Sequence, residues 1–253
     1  MAEKTLILEY LDNLALITLN RPAALNTINL DLLQEMEEIQ QKLAQDPNLR
    51  AVMVQAAGPH FSAGIDLSLL AQVDASFVLQ QVQRLQQIFQ RWQQLTVPVI
   101  AAIQGVCFGS GLELVLACDL RIAAANARFA LPEVRFGLAP DLGGTSRLTK
   151  LVGAGQAKRL LLTCEEIDAQ EAKTIGLVEK VVPEAELEKA ALGWAQAIAS
   201  FPPAGLRFAK QGVQVAQEAS LAAALLFEQA QSVYCCGTQE QKEAIAAFFR
   251  KQK

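Results

Sequence analysis

The pattern of apolar positions near the start of the chain predicts a β-hairpin. Leucine and isoleucine recur through residues 6–8 and 14–19, and the polar pair Asp12-Asn13 stands between the two runs. Apolar runs on both sides of a short polar turn are typical of a hairpin at the edge of a sheet. We therefore expect the fold to open with an edge hairpin.

After the hairpin, segments with helical spacing of apolar residues alternate with short apolar runs typical of strands. Residues 30–44 place apolar side chains three and four positions apart, and a buried-looking strand follows at 51–54. Residues 66–96 are rich in Leu, Val and Gln without turn residues, which predicts mostly helix. Further strands are predicted at 98–103, 120–123 and 178–182. This order of strands and helices predicts an α/β fold.

The end of the chain is predicted to be helical. From Gly143 onward the pattern is mainly helical. The last four helices, which are rich in apolar residues, are predicted at roughly 184–199, 204–217, 219–235 and 238–250. We expect them to cover the core or a neighbouring subunit.

One apolar stretch, residues 97–118, has the length of a membrane span and a single charged residue, Glu113. Pro98, Gln104 and three glycines interrupt any continuous helix there, and no other segment looks like a partner span. We interpret the stretch as a buried strand followed by a helix, and we expect no association with membranes.

Composition narrows the class of protein. The 253 residues are 52% hydrophobic and 19% charged, which excludes a disordered chain. A net charge of −4 disfavours nucleic acid as a partner. The five cysteines have neither metal-ligand spacing nor the pattern of a disulfide framework. With no leader peptide visible at the N-terminus, we expect a cytoplasmic protein.

Glu113 is the first candidate for chemistry, because an ionised carboxylate in an apolar run is costly unless it is paired, hydrated or protonated. It either faces solvent beside a helix N-terminus or acts as an acid or base with a raised pKa. Gly109-Ser110-Gly111, just before it, offers backbone N–H groups at a helix start. The small-residue turn at 60–66, which Asp66 can cap, is a second candidate donor.

Two further acids stand in apolar surroundings. Glu133 follows a proline and is either an ordinary first-turn acid or a second reactive carboxylate, and Asp141 is either a helix N-cap or reactive. His60 is the single histidine, so a Ser-His-Asp triad based on another histidine and a multi-histidine metal site are both excluded. Proton chemistry must therefore use carboxylates, and we expect no metal.

The order and spacing of short motifs make the chain similar to the enoyl-CoA hydratase/isomerase superfamily, the crotonase fold, over essentially its full length. The motifs lie at residues 19–26, 61–66, 98–105, 109–114, 118–119, 129–133, 137–138, 143–145, 147–148, 241–243 and 247–248. The resemblance implies a spiral β–β–α core at 1–196 and a C-terminal helical trimerisation or covering region at 197–253. It also implies homotrimers that often pair into hexamers.

The same resemblance implies an acyl-CoA thioester as substrate, with coenzyme A as part of the substrate and no separate cofactor. The backbone N–H groups of Ile65 and Ser110 match the pair that polarises the thioester carbonyl. Glu113 and Glu133, twenty residues apart, match the glutamates that hold the attacking water in the hydratase branch. Enoyl-CoA hydration is therefore the expected activity.

Asp141 keeps a second activity open, because dienoyl-CoA and ring-modifying isomerases of the superfamily carry an acid eight residues after the second glutamate. By the positions of the family's motifs, the resemblance implies that coenzyme A contacts Ala23, Ala24, Leu25, Ala63, Gly64, Ile65, Asp66, Gly109 and Lys251. For Lys251 the alternative is an ordinary solvated lysine. Residues that either line the acyl group or pack in the core are Leu69, Leu70, Val73, Phe77, Val78, Phe227 and Tyr234.

A non-catalytic, RNA-binding homologue is the alternative from a different class. RNA binding in this superfamily is associated with a lysine-rich helix face. The predicted helix at 31–45 instead carries Asp31, Glu35, Glu37 and Glu38 against Lys42. We therefore expect no nucleic-acid partner.

Overall fold

The structure is a computed structural model that describes residues 4–251, without the side chain of Lys251. Its strands are β1 (Leu6–Leu11), β2 (Leu14–Leu19), β3 (Ala51–Ala56), β4 (Val99–Ile103), β5 (Val106–Phe108), β6 (Leu120–Ala124), β7 (Arg128–Ala130), β8 (Ile167–Asp168) and β9 (Lys180–Val182). Its helices are α1 (Leu30–Gln45), α2 (Leu67–Leu70), α3 (Ala75–Gln94), α4 (Ser110–Leu116), α5 (Gly144–Thr163), α6 (Ala169–Thr174), α7 (Leu187–Ala199), α8 (Pro203–Glu218), α9 (Leu221–Cys235) and α10 (Gln239–Lys251).

Two sheets organise these elements. The larger sheet has the strand order β1-β2-β3-β4-β6-β9, in which β1 and β2 form the antiparallel hairpin and the other neighbours are parallel. The smaller sheet has the order β5-β7-β8, and a single bridge from Ser62 to Cys107 extends it beyond β5.

The chain passes between the two sheets in a repeated turn. A strand of the larger sheet is followed within a few residues by a partner in the smaller one, as in β4 with β5 and β6 with β7. Segment 51–62 makes the same passage, with Ser62 in place of a full strand. This is the predicted β–β–α spiral, and it brings the turns after Ser62 and after β5 side by side.

The main core lies between the two sheets and under α1 and α3. Phe61, Phe89, Trp92 and Phe129 are all fully buried there. The other face of the larger sheet is covered by α7, through Leu187, Ala191 and Ala195. Because both faces of β4 are covered, all five of its residues are buried, as is typical of central parallel strands.

Several boundaries differ from the sequence prediction for local reasons. The segment predicted as mostly helical over 66–96 is broken at 71–74, because Asp74 accepts a hydrogen bond from the Phe77 N–H and starts a new helix. Strands β5, β7 and β8 were not predicted, since runs of two or three residues show no periodicity. Asp141 does not cap α5, whose N-cap is Gly143.

The last three helices bury little of their apolar surface. Within the described part of α8, α9 and α10, Ala224 is the one buried residue. Exposed apolar side chains on α9 and α10 are Leu221, Leu225, Leu226, Val233, Tyr234, Ile245, Phe248 and Phe249. None of the helices in residues 4–251 combines the length and the apolar composition that a membrane span requires.

Candidate active site

Two glycine turns meet at the centre of the spiral. Gly64 has a φ of +99°, and a Cβ there would lie 3.0 Å from the Phe108 carbonyl oxygen and 3.6 Å from the Gly109 Cα. Both the left-handed φ and this close approach favour glycine. The residues that follow these glycines, Ile65 and Ser110, therefore begin from adjacent points of the backbone.

The N–H groups of Ile65 and Ser110 are available to a ligand. Neither donates a hydrogen bond to any residue in the described part of the chain. For Ser110 the reason is its position in the first turn of α4, where a helix leaves its N–H groups without intrahelical acceptors. Two such donors on neighbouring turns are suited to polarising one oxygen.

Buried side chains fix the first of these turns. Asn26, which is fully buried, donates through Nδ2 to the carbonyl oxygens of Ala57 and His60, at 2.9 and 2.8 Å. Ser62 Oγ donates to the Asn26 carbonyl oxygen at 2.8 Å and accepts from the Gly64 N–H at 3.2 Å. Sequence reasoning did not assign a role to Asn26 or Ser62, although both lie inside the quoted motifs and a buried asparagine is an unusual choice.

Glu113 lies on α4, one turn after Ser110, and is 2% exposed, so the solvent-facing alternative is wrong. Its Oε1 accepts hydrogen bonds from the N–H groups of Leu142 at 2.9 Å and Gly144 at 2.8 Å. Burial raises the pKa of Glu113 to about 7, the two N–H bonds oppose that rise, and the charges of Glu133 and Asp141 add to it.

Glu133 opens the 3-10 turn Glu133–Phe136 and lies close enough to Glu113 for its charge to act on it. Its Oε1 lies 3.2 Å from where a Cβ on Gly109 would be, so it borders the second donor turn. Burial, followed by the charge of Asp141, raises the pKa of Glu133 to about 6. Its Oε2 is buried and has no hydrogen-bond partner among the described residues, so it can accept a hydrogen bond from a bound water or substrate.

Asp141 lies at the rim of this cluster. Asp141 is exposed as a residue, but partial desolvation of its carboxyl group raises the pKa of that group. Its charge in turn raises the pKa values of both glutamates. A polar cavity of about 450 Å³ opens beside it, bordered by Gln86, Gln90 and Arg147. A second cavity of about 450 Å³, under α8, is lined by the Asp119–Lys210 ion pair, and neither cavity is lined by Glu113 or Glu133.

Glu113 and Glu133 can exchange protons near neutral pH. Glu113, with a pKa of about 7, and the half-buried Glu133, with a pKa of about 6, together hold about one proton between those two pH values. Such a pair can take a proton from one atom and give a proton to another in the same reaction. Within residues 4–251 no group of three or more His, Cys, Asp or Glu side chains is arranged to hold a metal ion.

Most of the residues predicted to contact coenzyme A form one surface beside the donor turns. The turn Pro22–Ala24 and Leu25 adjoin residues 63–66, because the Leu25 carbonyl oxygen accepts from the Ala63 N–H and the Ile28 N–H donates to Gly64. Ser68, Arg21 and Thr27 donate hydrogen bonds to the Asp66 carboxylate, which lower its pKa to about 2. The Lys251 side chain lies outside the described residues.

The predicted acyl-lining residues fall into two groups. Leu69 is buried in the main core and Phe77 packs against it, while Leu70, Val73 and Val78 are half-buried on the same α2–α3 segment. Phe227 and Tyr234 of α9 instead pack on Phe208 of α8, with ring centroids 6.1 and 5.1 Å apart. The first group adjoins the donor turn at Ile65 along the chain.

The chain matches known proteins over nearly its whole length. A family model described as enoyl-CoA hydratase/isomerase matches residues 9–253. A short-chain-enoyl-CoA hydratase from Clostridium acetobutylicum is 39% identical over 254 residues, which cover 100% of this chain and 97% of that protein. A crotonyl-CoA hydratase from Syntrophomonas wolfei is 37% identical over 254 residues, covering 100% and 98%.

A solved structure agrees with the fold. The crystal structure of an enoyl-CoA hydratase from Bacillus anthracis has a TM-score of 0.94 and 37% sequence identity, and the match covers 98% of this chain and 96% of that one. The predicted crotonase-type α/β fold is confirmed by this likeness. On the family match and these full-length relatives, the chain belongs to the enoyl-CoA hydratase/isomerase family.

Proposed function

We propose that the protein is an enoyl-CoA hydratase, which adds water across the trans-2 double bond of an acyl-CoA thioester. The observation that carries the proposal is the pairing of the buried Glu113 with the half-buried Glu133 beside two unused backbone N–H groups. The relatives named as hydratases support it.

In the proposed mechanism the thioester oxygen accepts hydrogen bonds from the Ile65 and Ser110 N–H groups. One glutamate takes a proton from the water molecule as the water oxygen forms a bond to Cβ. The π electrons move towards the thioester, and the enolate charge is stabilised by the two N–H groups. The other glutamate gives its proton to Cα, so the pair holds one proton before and after the addition.

This chemistry needs no resident metal or redox cofactor in our proposal, because every step is a proton transfer or an addition to a double bond polarised by hydrogen bonds. Coenzyme A enters as part of the substrate, along the surface formed by residues 23–25 and 63–66. We place the reaction in fatty-acid β-oxidation in the cytoplasm, where the five free thiols remain reduced.

Isomerisation of an enoyl- or dienoyl-CoA is the second candidate. It is favoured by Asp141, whose charge acts on both glutamates and whose carboxyl has a raised pKa beside a polar cavity. In this alternative the acids move a proton along the acyl chain, and no water is added.

An assay of the purified protein separates the two. Crotonyl-CoA, a medium-chain trans-2-enoyl-CoA and a 3,5-dienoyl-CoA are each incubated with the enzyme and followed by mass and absorbance. We expect a gain of one water and loss of the conjugated-enoyl absorbance. An unchanged mass with a shifted dienoyl chromophore would establish the isomerase in its place.

The protein is further proposed to form a homotrimer or a hexamer through its C-terminal helices, with residues 197–253 as the covering region. The eight exposed apolar side chains of α9 and α10 support this, because a monomer would leave that surface in water. Light scattering coupled to size-exclusion chromatography measures the mass directly, and a 27.4 kDa particle would contradict the proposal.

A further inference from the structure

Glu113 is held by two peptide groups, and the structure fixes those two in different ways. The peptide between Gly143 and Gly144 directs its N–H to Glu113, and its carbonyl oxygen accepts the Arg147 N–H at 2.8 Å, a bond of the first turn of α5. The helix itself therefore fixes this peptide.

The peptide between Asp141 and Leu142 lies outside any helix. Its N–H also donates to Glu113 Oε1, at 2.9 Å, and its carbonyl oxygen accepts a hydrogen bond from Gln86 Nε2 at 2.7 Å. Because a trans peptide is planar, its C=O and N–H point in opposite directions. A donor that holds the carbonyl therefore also holds the N–H on Glu113.

Gln86 is well placed for this task. It lies on α3, whose following turns are anchored by the buried side chains of Ile88, Phe89 and Trp92. Gln40 Nε2 also donates to the Ile88 carbonyl oxygen at 2.7 Å. The amide of Gln86 thus projects from a rigid helix onto a loop that has no regular structure of its own.

We propose that Gln86 is a positioning residue for Glu113, acting through the Asp141–Leu142 peptide. The two hydrogen bonds connect the Gln86 amide through this peptide to the Glu113 carboxylate, and each bond polarises the next. Gln86 therefore stabilises the ionised form of Glu113 without touching the substrate. The effect of Gln86 on catalysis rests on the proposed function. Its effect on the ionisation of Glu113 is independent of that function.

Gln90 provides a matched control. It lies one turn further along α3, is exposed, and borders the same cavity beside Asp141. Within the described residues it makes no hydrogen bond to segment 140–144. Substitutions at Gln90 therefore reproduce the change in side-chain size or charge without removing a donor from the loop.

The experiment compares Gln86→Ala and Gln86→Glu with Gln90→Ala and Gln90→Glu. Protein labelled with ¹³C at the glutamate carboxyls is titrated without substrate, and the Glu113 resonance is assigned by its loss in Glu113→Gln. Loss of the donor weakens the Leu142 N–H bond, which opposes the raised pKa, so we expect Gln86→Ala to titrate higher by about half a pH unit, with water restoring part of the bond.

We expect Gln86→Glu to shift further, because a carboxylate cannot donate and adds negative charge, and to shift more than Gln90→Glu. The alkaline limb of kcat/KM for hydration should move with the titration. Equal Glu113 titrations in Gln86→Ala and Gln90→Ala would overturn the inference, as would a loss of rate in Gln86→Ala with the limb unmoved. Since the titration needs no turnover, a wild-type protein that fails to hydrate refutes the proposed function alone.

Discussion

Replacing Glu113 by glutamine should make the protein more stable while it destroys activity. Glutamine has nearly the shape of glutamate, and its Oε1 can accept the same two N–H bonds from Leu142 and Gly144. The substitution removes the one feature that the fold disfavours at this position, a negative charge in a side chain that is 2% exposed.

The size of the effect follows from the pKa. In the fold the pKa of Glu113 is raised from 4.5 to about 7, and each pH unit is equivalent to about 1.4 kcal/mol. Between these two values the unfolded chain has lost the proton and the folded chain still holds it, so stability falls as the pH rises. Above pH 7 the ionised Glu113 costs the wild type about 3 kcal/mol, and at pH 5 it costs less than about 1 kcal/mol.

Urea unfolding at pH 5 and pH 8 measures the difference in the free energy of unfolding between Glu113→Gln and the wild type. The protomer concentration is kept fixed, because assembly also stabilises the fold. We expect Glu113→Gln to exceed the wild type by about 3 kcal/mol at pH 8 and by less than about 1 kcal/mol at pH 5. Glu9→Gln, at an exposed position on β1, is the control and should match the wild type at both pH values. A Glu113→Gln difference that is the same at pH 5 and pH 8 would refute the reasoning.

Three further predictions concern catalysis. The pH profile of kcat/KM for crotonyl-CoA should be bell-shaped, with limbs at pH values of about 6 and about 7, because hydration needs one ionised and one protonated glutamate. A flat profile from pH 5 to 9 would contradict this. Glu133→Gln should lower kcat by about 10²–10⁴-fold in the same assay, and near-full activity would remove Glu133 from the mechanism. Asp141→Asn should lose dienoyl-CoA isomerisation and keep most of its hydration; equal losses would place Asp141 in the hydratase site or its folding.

The elements that periodicity can detect were predicted well. The opening hairpin, α1 and the buried strands β3 and β4 have long enough patterns to identify, and their alternation gave the α/β class. The smaller sheet could not be predicted, because β5, β7 and β8 are two or three residues long and are defined by partners distant in sequence. The resemblance, and not the local pattern, provided the spiral.

In the candidate site, too, some residues could be predicted from the sequence and others could not. Glu113 and Glu133 stood out as acids in apolar surroundings, and the structure brings both to the donor turns. The amides that hold Glu113 could not be predicted, since any residue has an N–H and the sequence does not indicate which ones point inward. Gln86 was equally hidden among the many glutamines of α3, and only its distance to the Asp141 carbonyl oxygen distinguishes it.

The two proposed polarising groups belong to the main chain, and this affects how the enzyme can be studied and how it can change. Replacing the side chain of Ile65 or Ser110 leaves the N–H in place, so an alanine scan will rank both positions as unimportant. Only proline or a backbone ester removes the donor itself. Random mutation therefore rarely reaches the thioester-polarising step, and the side chains at these two positions can diverge to suit new acyl groups while the polarising step stays the same.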